Sequence, residues 1–515
     1  MSSITNDVNQ KTFNCASQLC LRAYLMFYFG GGVQGQGCSP QKCDRVIPLN
    51  VGAALDLRND EFEEGGPVQP GQTVCFESGE RESVRLYNFK GTAEEPITFT
   101  NCEGGRAIVR AKDSSWGVQL FDCEYVHFTG TGDESITYGW DIASENAQCF
   151  GFLGLSSYLE LDHVEVSSCK YAGLAIKQDP VCDTDIYDYG NFVMRGIHVH
   201  HNFIHDAGTE GMYIGSSFCY DHPISSCATT SKPAHRLRNI KIHNNLVENS
   251  GWDGIQVGCS DEDVDLFANV IDGYGLANEQ YQTSGFQIGG GTTGRVFSNI
   301  IRNGHNGHAI LHHGIGDNLI FNNVIENVRG SGIVSSDLGA AIAGKYIYAF
   351  HNTLVNVQKP NGASWAAAIK ITSPNTMNKI FNNLIAGHPS FDDTDFQCTG
   401  GSGNTEVSNN ECLLTVEEVG FTNAAQRDYT LTADSPAVNT GISISDYEVG
   451  FDFNIHLRPA AGTAPDAGAF EYGSTEAPSD TPGLPSDDYE FEPPSNDGDG
   501  EDDSSALLRP SLLIF

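Results

Sequence analysis

The sequence predicts an all-β protein, a right-handed parallel β-helix in which short coils stack into a solenoid. Three observations predict it. The first is a repeat of Asn followed by two mostly apolar, β-prone residues. It occurs at Asn202-Phe203-Ile204, Asn245-Leu246-Val247, Asn269-Val270-Ile271, Asn299-Ile300-Ile301, Asn323-Val324-Ile325, Asn352-Thr353-Leu354 and Asn383-Leu384-Ile385, with spacings of 43, 24, 30, 24, 29 and 31 residues. A period of roughly 20–30 residues marks a solenoid. A unit that short cannot bury its own apolar face, so neighbours must stack. The second observation is a Gly-opened strand after each Asn strand, as in Gly211-Met212-Tyr213-Ile214, Gly254-Ile255-Gln256-Val257, Gly285-Phe286-Gln287-Ile288 and Gly332-Ile333-Val334. The third is that no stretch in the middle of the chain sustains a helical period, which excludes bundles, doubly wound sheets and helical repeats. The right hand follows from the general handedness of parallel crossovers.

The Asn of each unit is expected at a corner. Asn tolerates a left-handed backbone, and its amide can bond to the same amide one coil away. Residues 1–45 are expected to form a leader or N-terminal cap, 46–414 the coil, 415–473 a capping segment and 474–515 a disordered acidic stalk. Residues 474–505 hold eleven Asp or Glu and no Lys or Arg, a composition that cannot bury a core. Two long insertions, 177–194 and 216–237, interrupt the coil and are expected to wall a groove.

Composition bounds the partners. The chain has 515 residues, 28 Lys and Arg against 66 Asp and Glu, and a formal charge of −38. Such a chain repels nucleic acid, whose affinity comes from Lys and Arg on phosphate. No run is long enough to span a membrane as a helix. Fifteen Cys without a zinc-type spacing read as disulfides, with Cys219/Cys227 and Cys398/Cys412 as loop staples. Disulfides imply an oxidising compartment, so the protein is expected to be secreted or anchored at the cell surface, and monomeric. Residues 19–33 and the apolar end Ala506–Phe515 are candidate targeting segments.

The closing segment runs through Asp428-Tyr429-Thr430-Leu431, Ser435-Pro436-Ala437-Val438-Asn439-Thr440-Gly441, Asp452, Arg458-Pro459 and Asp466-Ala467-Gly468-Ala469-Phe470-Glu471-Tyr472. It resembles the end of many secreted β-helix proteins of the pectate-lyase-like superfamily. The resemblance implies fold and export; that fold hosts lyases, hydrolases, epimerases and non-catalytic surface proteins alike.

Candidate chemistry comes from aligning two units on their Asn. Glu210 and Asp253 each lie eight residues on and directly precede a Gly strand, so they should stack roughly 4.8 Å apart. Ser284, Asn306 and Ser331 are expected to continue that column. Two stacked carboxylates need a proton or cation between them. One reading makes them a glycoside hydrolase pair. A second makes them ligands of Ca²⁺ that neutralises a uronic acid, with His308 or His312 as the base of a lyase. A third has them capping backbone amides. Tyr213, Gln256, Gln287, Trp252 and Lys370 are the expected sugar contacts. Lys177 and Lys370 stand beside strands, although acidic neighbours raise a Lys pKa and work against either as a base. The expected activity is cleavage of an acidic extracellular polysaccharide by β-elimination. The alternatives are glycoside hydrolysis by Glu210 and Asp253, or a non-catalytic surface rod.

Overall fold

The computed structural model describes residue 38 and residues 42–475, apart from 51–53, 63–64, 113–115, 225–229, 337–340, 358–365, 388–395, 448 and 460–461. Almost all of the expected leader and stalk, including both candidate targeting segments, lies outside the described residues. The fold is the expected right-handed parallel β-helix. Three parallel sheets of 13, 12 and 12 strands run its length, and each coil contributes one strand to each. In one coil, Arg236–His243 belongs to the first sheet, Leu246–Glu248 to the second and Ile255–Val257 to the third. The repeat located the second and third strands; the first strand, ahead of the Asn, is the additional element.

Alternation explains why these residues stack. In the first sheet Ile197 pairs with Ile240, while in the third Met212 pairs with Ile255 and Ile255 with Phe286. All of these are buried in one continuous core. Each fully buried side chain of this size contributes about 1.5–3 kcal/mol.

The Asn residues form the expected ladder. Asn202 Nδ2 donates to Asn245 Oδ1 at 3.0 Å, and the chain of bonds continues through Asn269, Asn299, Asn323, Asn352 and Asn383 to an eighth member, Asn410. The left-handed backbone falls one residue earlier than expected, at His201, Asn244, Ala268, Ser298, Asn322, His351 and Asn382. That residue turns the corner, and the next Asn points inward to tie the coils. The Gly that opens the third strand has a packing cause. A Cβ on Gly211 would lie 2.5 Å from Val247 Cγ1, and one on Gly254 2.6 Å from Ile271 Cγ2.

On the outer face of the first sheet, Phe267, Phe297, Phe321, Phe350 and Phe381 fall in one register column. Ile444, Val449 and Phe451 of the C-terminal segment pack on this column. Arg458 anchors the segment through Asn322 Oδ1 (3.0 Å) and Glu471 (2.9 Å). The segment thereby covers the apolar surface that the Phe column offers.

Among the described residues, disulfides join Cys38–Cys102, Cys43–Cys75, Cys149–Cys169 and Cys398–Cys412, the last as expected. Cys219 is a buried free thiol, so the expected staple to Cys227 does not form; Cys227 lies outside the described residues. No helix among the described residues is long and apolar enough to cross a membrane.

Candidate functional site

Glu210 and Asp253 stack on adjacent coils. The ladder is explicit: Gly173 N donates to Glu210 O, Gly211 N to Asp253 O, Gly254 N to Ser284 O, Gly285 N to His308 O and Ala309 N to Ser331 O. The column therefore reads Glu210, Asp253, Ser284, His308, Ser331. His308 takes the place expected for Asn306, which instead sits in the corner loop and donates to Asn278.

Both carboxyls are closed off. Glu210 is 4% exposed and Asp253 0%. Burial raises the pKa of Glu210, opposed by its own backbone N–H, the Thr209 hydroxyl and the Lys177 charge. Burial raises Asp253 more strongly, the Ser284 N–H opposes this, and the charge on Glu210 adds to it. Asp253 Oδ1 accepts from Ser284 N at 2.6 Å. In the amide orientation that satisfies its neighbours, Gln287 donates to Asp253 Oδ2 and Tyr281 O, both at 3.2 Å, and accepts from Gln256 Nε2 at 3.3 Å. Donors thus occupy both Asp253 oxygens, and among the described residues no third His, Cys, Asp or Glu joins Glu210 and Asp253 in a metal-binding group. This donor set does not fit the six to eight oxygen ligands that Ca²⁺ takes.

Tyr213, Gln256 and Gln287 fall in one outward column of the third sheet, as expected, followed by Leu311, Val334 and Lys370. Lys370 is thus five coils from Tyr213, roughly 24 Å by strand spacing, and burial lowers its pKa. Gln256 is covered by the second insertion, donating to Ser217 Oγ, and Gln287 by the corner loop that contains Tyr281. Trp252 is half-buried, its backbone tied to Thr209 and Gly275. His312 cannot be a solvent-facing base. It pairs with Ile288 and Ser335 on the inner side of the sheet and is 1% exposed. His308 is half-buried, and burial, aided by His313, pushes its imidazole down to about 4.

Beside this column lies a partly buried pair that the sequence placed on an insertion and a strand. Lys177 Nζ lies 3.8 Å from the centre of the Tyr213 ring and 2.9 Å from Asp179 Oδ1. Burial pulls the ammonium down, but Tyr213 and Asp179 outweigh it and hold its pKa above the ordinary value. Tyr213 Oη is 3.0 Å from Ser217 Oγ, and His222 Nδ1 is 3.1 Å from Ser216 Oγ. Both insertions therefore converge here, supplying Asp179 from one side and Ser217 and His222 from the other. The first insertion also walls a cleft of about 660 Å³ lined by Tyr158, Asp185, Asn191 and Phe192, among others. Tyr158 stacks on Tyr125 with ring centres 4.1 Å apart.

A second polar cluster occupies the outer face of the first sheet. His127 Nε2 and His163 Nδ1 each lie 2.5 Å from the Asp162 carboxylate, which also accepts from Thr129 Oγ1 at 2.6 Å. Burial works against the ionised pair, yet these bonds hold the Asp162 carboxyl below its usual range and the His127 imidazole above its own. The sequence signal was the alternation in Glu160-Leu161-Asp162 and His198-Val199-His200, legible only once the first strand is placed.

No protein-family model matches the chain, and no curated protein matches it. Among solved structures the chain is similar to pectate lyase Pel9A, with a TM-score of 0.42 and 14% identity over 82% of this chain and 97% of that one. It is also similar to a lacto-N-biosidase from Eubacterium ramulus, with a TM-score of 0.37 and 11% identity over 71% and 68%. A third similar structure is an alginate lyase from Paenibacillus sp., with a TM-score of 0.32 and 13% identity over 70% and 99%.

Proposed function

We propose that the protein is extracellular and cleaves an acidic, uronate-containing polysaccharide by β-elimination on the third sheet, between the two insertions. The carrying observation is the Lys177–Tyr213 contact at 3.8 Å. β-Elimination has three needs: a charge to neutralise the uronate carboxylate, a group to take the C5 proton, and a proton for the O4 that leaves as the C4–C5 double bond forms. Lys177 supplies the charge. The Tyr213 oxygen, 3.0 Å from Ser217 Oγ, takes the C5 proton as the phenolate and returns it to O4 as the C4–O4 bond breaks. The Tyr125–Tyr158 stack beside the first insertion offers a flat face for sugar rings further along the chain. Lys177 takes the role expected of Ca²⁺, and Tyr213 replaces His308, which lies roughly 14 Å up the column from Glu210 by strand spacing. The disulfides agree with an oxidising compartment.

A second reading, hydrolysis with Glu210 as general acid, is favoured by one observation. Burial raises the Glu210 carboxyl above its ordinary pKa, the direction a general acid needs.

The variants Lys177→Met and Tyr213→Phe separate these, assayed on a panel of uronate polymers. β-Elimination predicts loss of unsaturated ends in both. Wild-type rates in both variants, on a polymer the parent cuts, would refute the assignment.

A further inference from the structure

In the first sheet, Asp162 pairs with His200, His200 with His243 and His243 with Phe267, after which the column is Phe as far as Phe381. Where packing alone decides, this column uses stacked Phe. His243 keeps that stack, its ring parallel to Phe267 at 4.5 Å and to His200 at 5.1 Å. The imidazoles add something that Phe cannot. His198, in the neighbouring column, places Nε2 only 2.6 Å from His243 Nε2. One proton at most fits between two such nitrogens, whereas a cation accepts both lone pairs. His198, His200 and His243 each offer a ring nitrogen, and the three lie within 4.8 Å of one another.

We propose that His198, His200 and His243 bind one divalent ion of the Zn²⁺ class, which clamps successive coils together. Imidazole suits first-row transition ions. Zn–N bonds of about 2.0–2.1 Å set tetrahedral nitrogens about 3.3 Å apart, between the 2.6 Å observed for His198 and His243 and the 4.8 Å that bounds all three. His200 Nε2 lies 3.2 Å from Glu160 Oε1 and its Nδ1 2.8 Å from His201 Nδ1; ligation exchanges one of these contacts for the ion and leaves the other to orient the imidazole. The neighbouring group His127, Glu160 and Asp162 has similar spacing. Its atoms are already joined, however, by the short bonds from His127 and His163 to Asp162. All three ligands are buried, at 0%, 9% and 1% exposure, which suits a closed structural site rather than one holding an open position for substrate. The ligands come from adjoining strands, Val193–His200 and Arg236–His243, so the ion ties together the coils that carry the second insertion.

The test is titration of the dialysed full chain with Zn²⁺ and, separately, Co²⁺. We expect one equivalent bound, visible d–d absorption from tetrahedral Co²⁺, and a higher unfolding temperature with Zn²⁺. His243→Phe extends the existing Phe stack, so it keeps the fold by circular dichroism while weakening Zn²⁺ binding about 100-fold or more. His200→Gln does the same by a different route. His305→Gln, exposed and outside the cluster, binds as the parent does. A folded parent that gives no Co²⁺ absorption overturns the proposal. So does undiminished binding in both His243→Phe and His200→Gln. None of these readouts involves polysaccharide, so the outcome is independent of the proposed activity.

Discussion

Lys177 Nζ lies over the ring of Tyr213 at 3.8 Å, on successive coils, with one insertion reaching each residue. The ammonium is only 13% exposed in its side chain and bonds to Asp179, so its charge is held in place rather than free in solvent. A fixed cation beside a phenol is suited to an anionic sugar ring whose proton must move. Tyr213→Phe keeps the ring that the ammonium rests on and removes only the hydroxyl. The expected result is a kcat lower by about 10²–10⁴-fold with KM little changed, measured as unsaturated-end formation. A rise in KM at unchanged kcat would make Tyr213 a binding residue alone.

Calcium is not expected to support this reaction through Glu210 and Asp253. Adding Ca²⁺ to protein dialysed against calcium-free buffer should change the rate by less than about twofold, since the two carboxyls lack the ligand number the ion takes. A calcium-dependent rate abolished by Asp253→Asn would contradict the closed geometry.

Asp253 should instead govern stability. Its folded pKa is raised, so the folded state binds more protons than the unfolded chain above the ordinary carboxylate value. Its contribution is complete below that value and is lost as pH rises through the raised one. Asp253→Asn keeps the acceptor for Ser284 N and should be the more stable protein at neutral pH. Asp253→Ala leaves that buried N–H without its acceptor and should cost about 1–3 kcal/mol. Denaturant unfolding of the three proteins at neutral pH checks the order.

Acid should destabilise the coil through its buried imidazoles. His235 Nε2 accepts from Gln178 N at 3.0 Å and so must be neutral. Burial pushes His235, His308 and His312 down to about 4. Between that value and the ordinary imidazole pKa of 6.5, the unfolded chain binds more protons. Stability is therefore full above 6.5 and falls as pH drops towards 4, by about 1.4 kcal/mol per unit for each group. Unfolding midpoints measured across this range should fall in step. His235→Gln, which can still accept from Gln178, should flatten the slope.

The Asn ladder carries a comparable load. Asn299 is 0% exposed, donates to Leu266 O and Asn323 Oδ1 at 2.9 Å, and accepts from Asn269. Asn299→Ala orphans partners on both sides and should cost at least about 2 kcal/mol. Asn146→Ala, at an exposed corner, should stay within about 0.5 kcal/mol. Equal effects would remove the ladder from the account of the fold.

The coil was legible because its signals are local and periodic. An Asn that bonds its copy one coil away, and a Gly excluded from a Cβ by Val247 or Ile271, must recur wherever the geometry recurs. The stacking of Glu210 on Asp253 followed from the same count. Exposure did not, because it depends on what the insertions cover. Ser217 closes over Gln256, and the Tyr281 loop over Gln287, through contacts that no spacing encodes. His312 was misplaced for a related reason: alternation set it beside Ile310, and both face the core. Lys177 was visible as a rare cation, but its meeting with Tyr213 depends on how the first insertion leaves the strand. The sequence shows His198 and His200 as a cluster partly explained by strand alternation, but their meeting with His243 depends on a strand that precedes the Asn marker and carries no fixed residue of its own.

The most direct measurement is of the products. Purified protein is incubated with a panel of uronate polymers, and unsaturated ends and reducing ends are counted together. β-Elimination predicts that both rise in equal number, and that both fall away in Lys177→Met. Reducing ends without unsaturated ends would contradict it in favour of hydrolysis at Glu210. Neither product on any polymer would leave the coil as a non-catalytic rod.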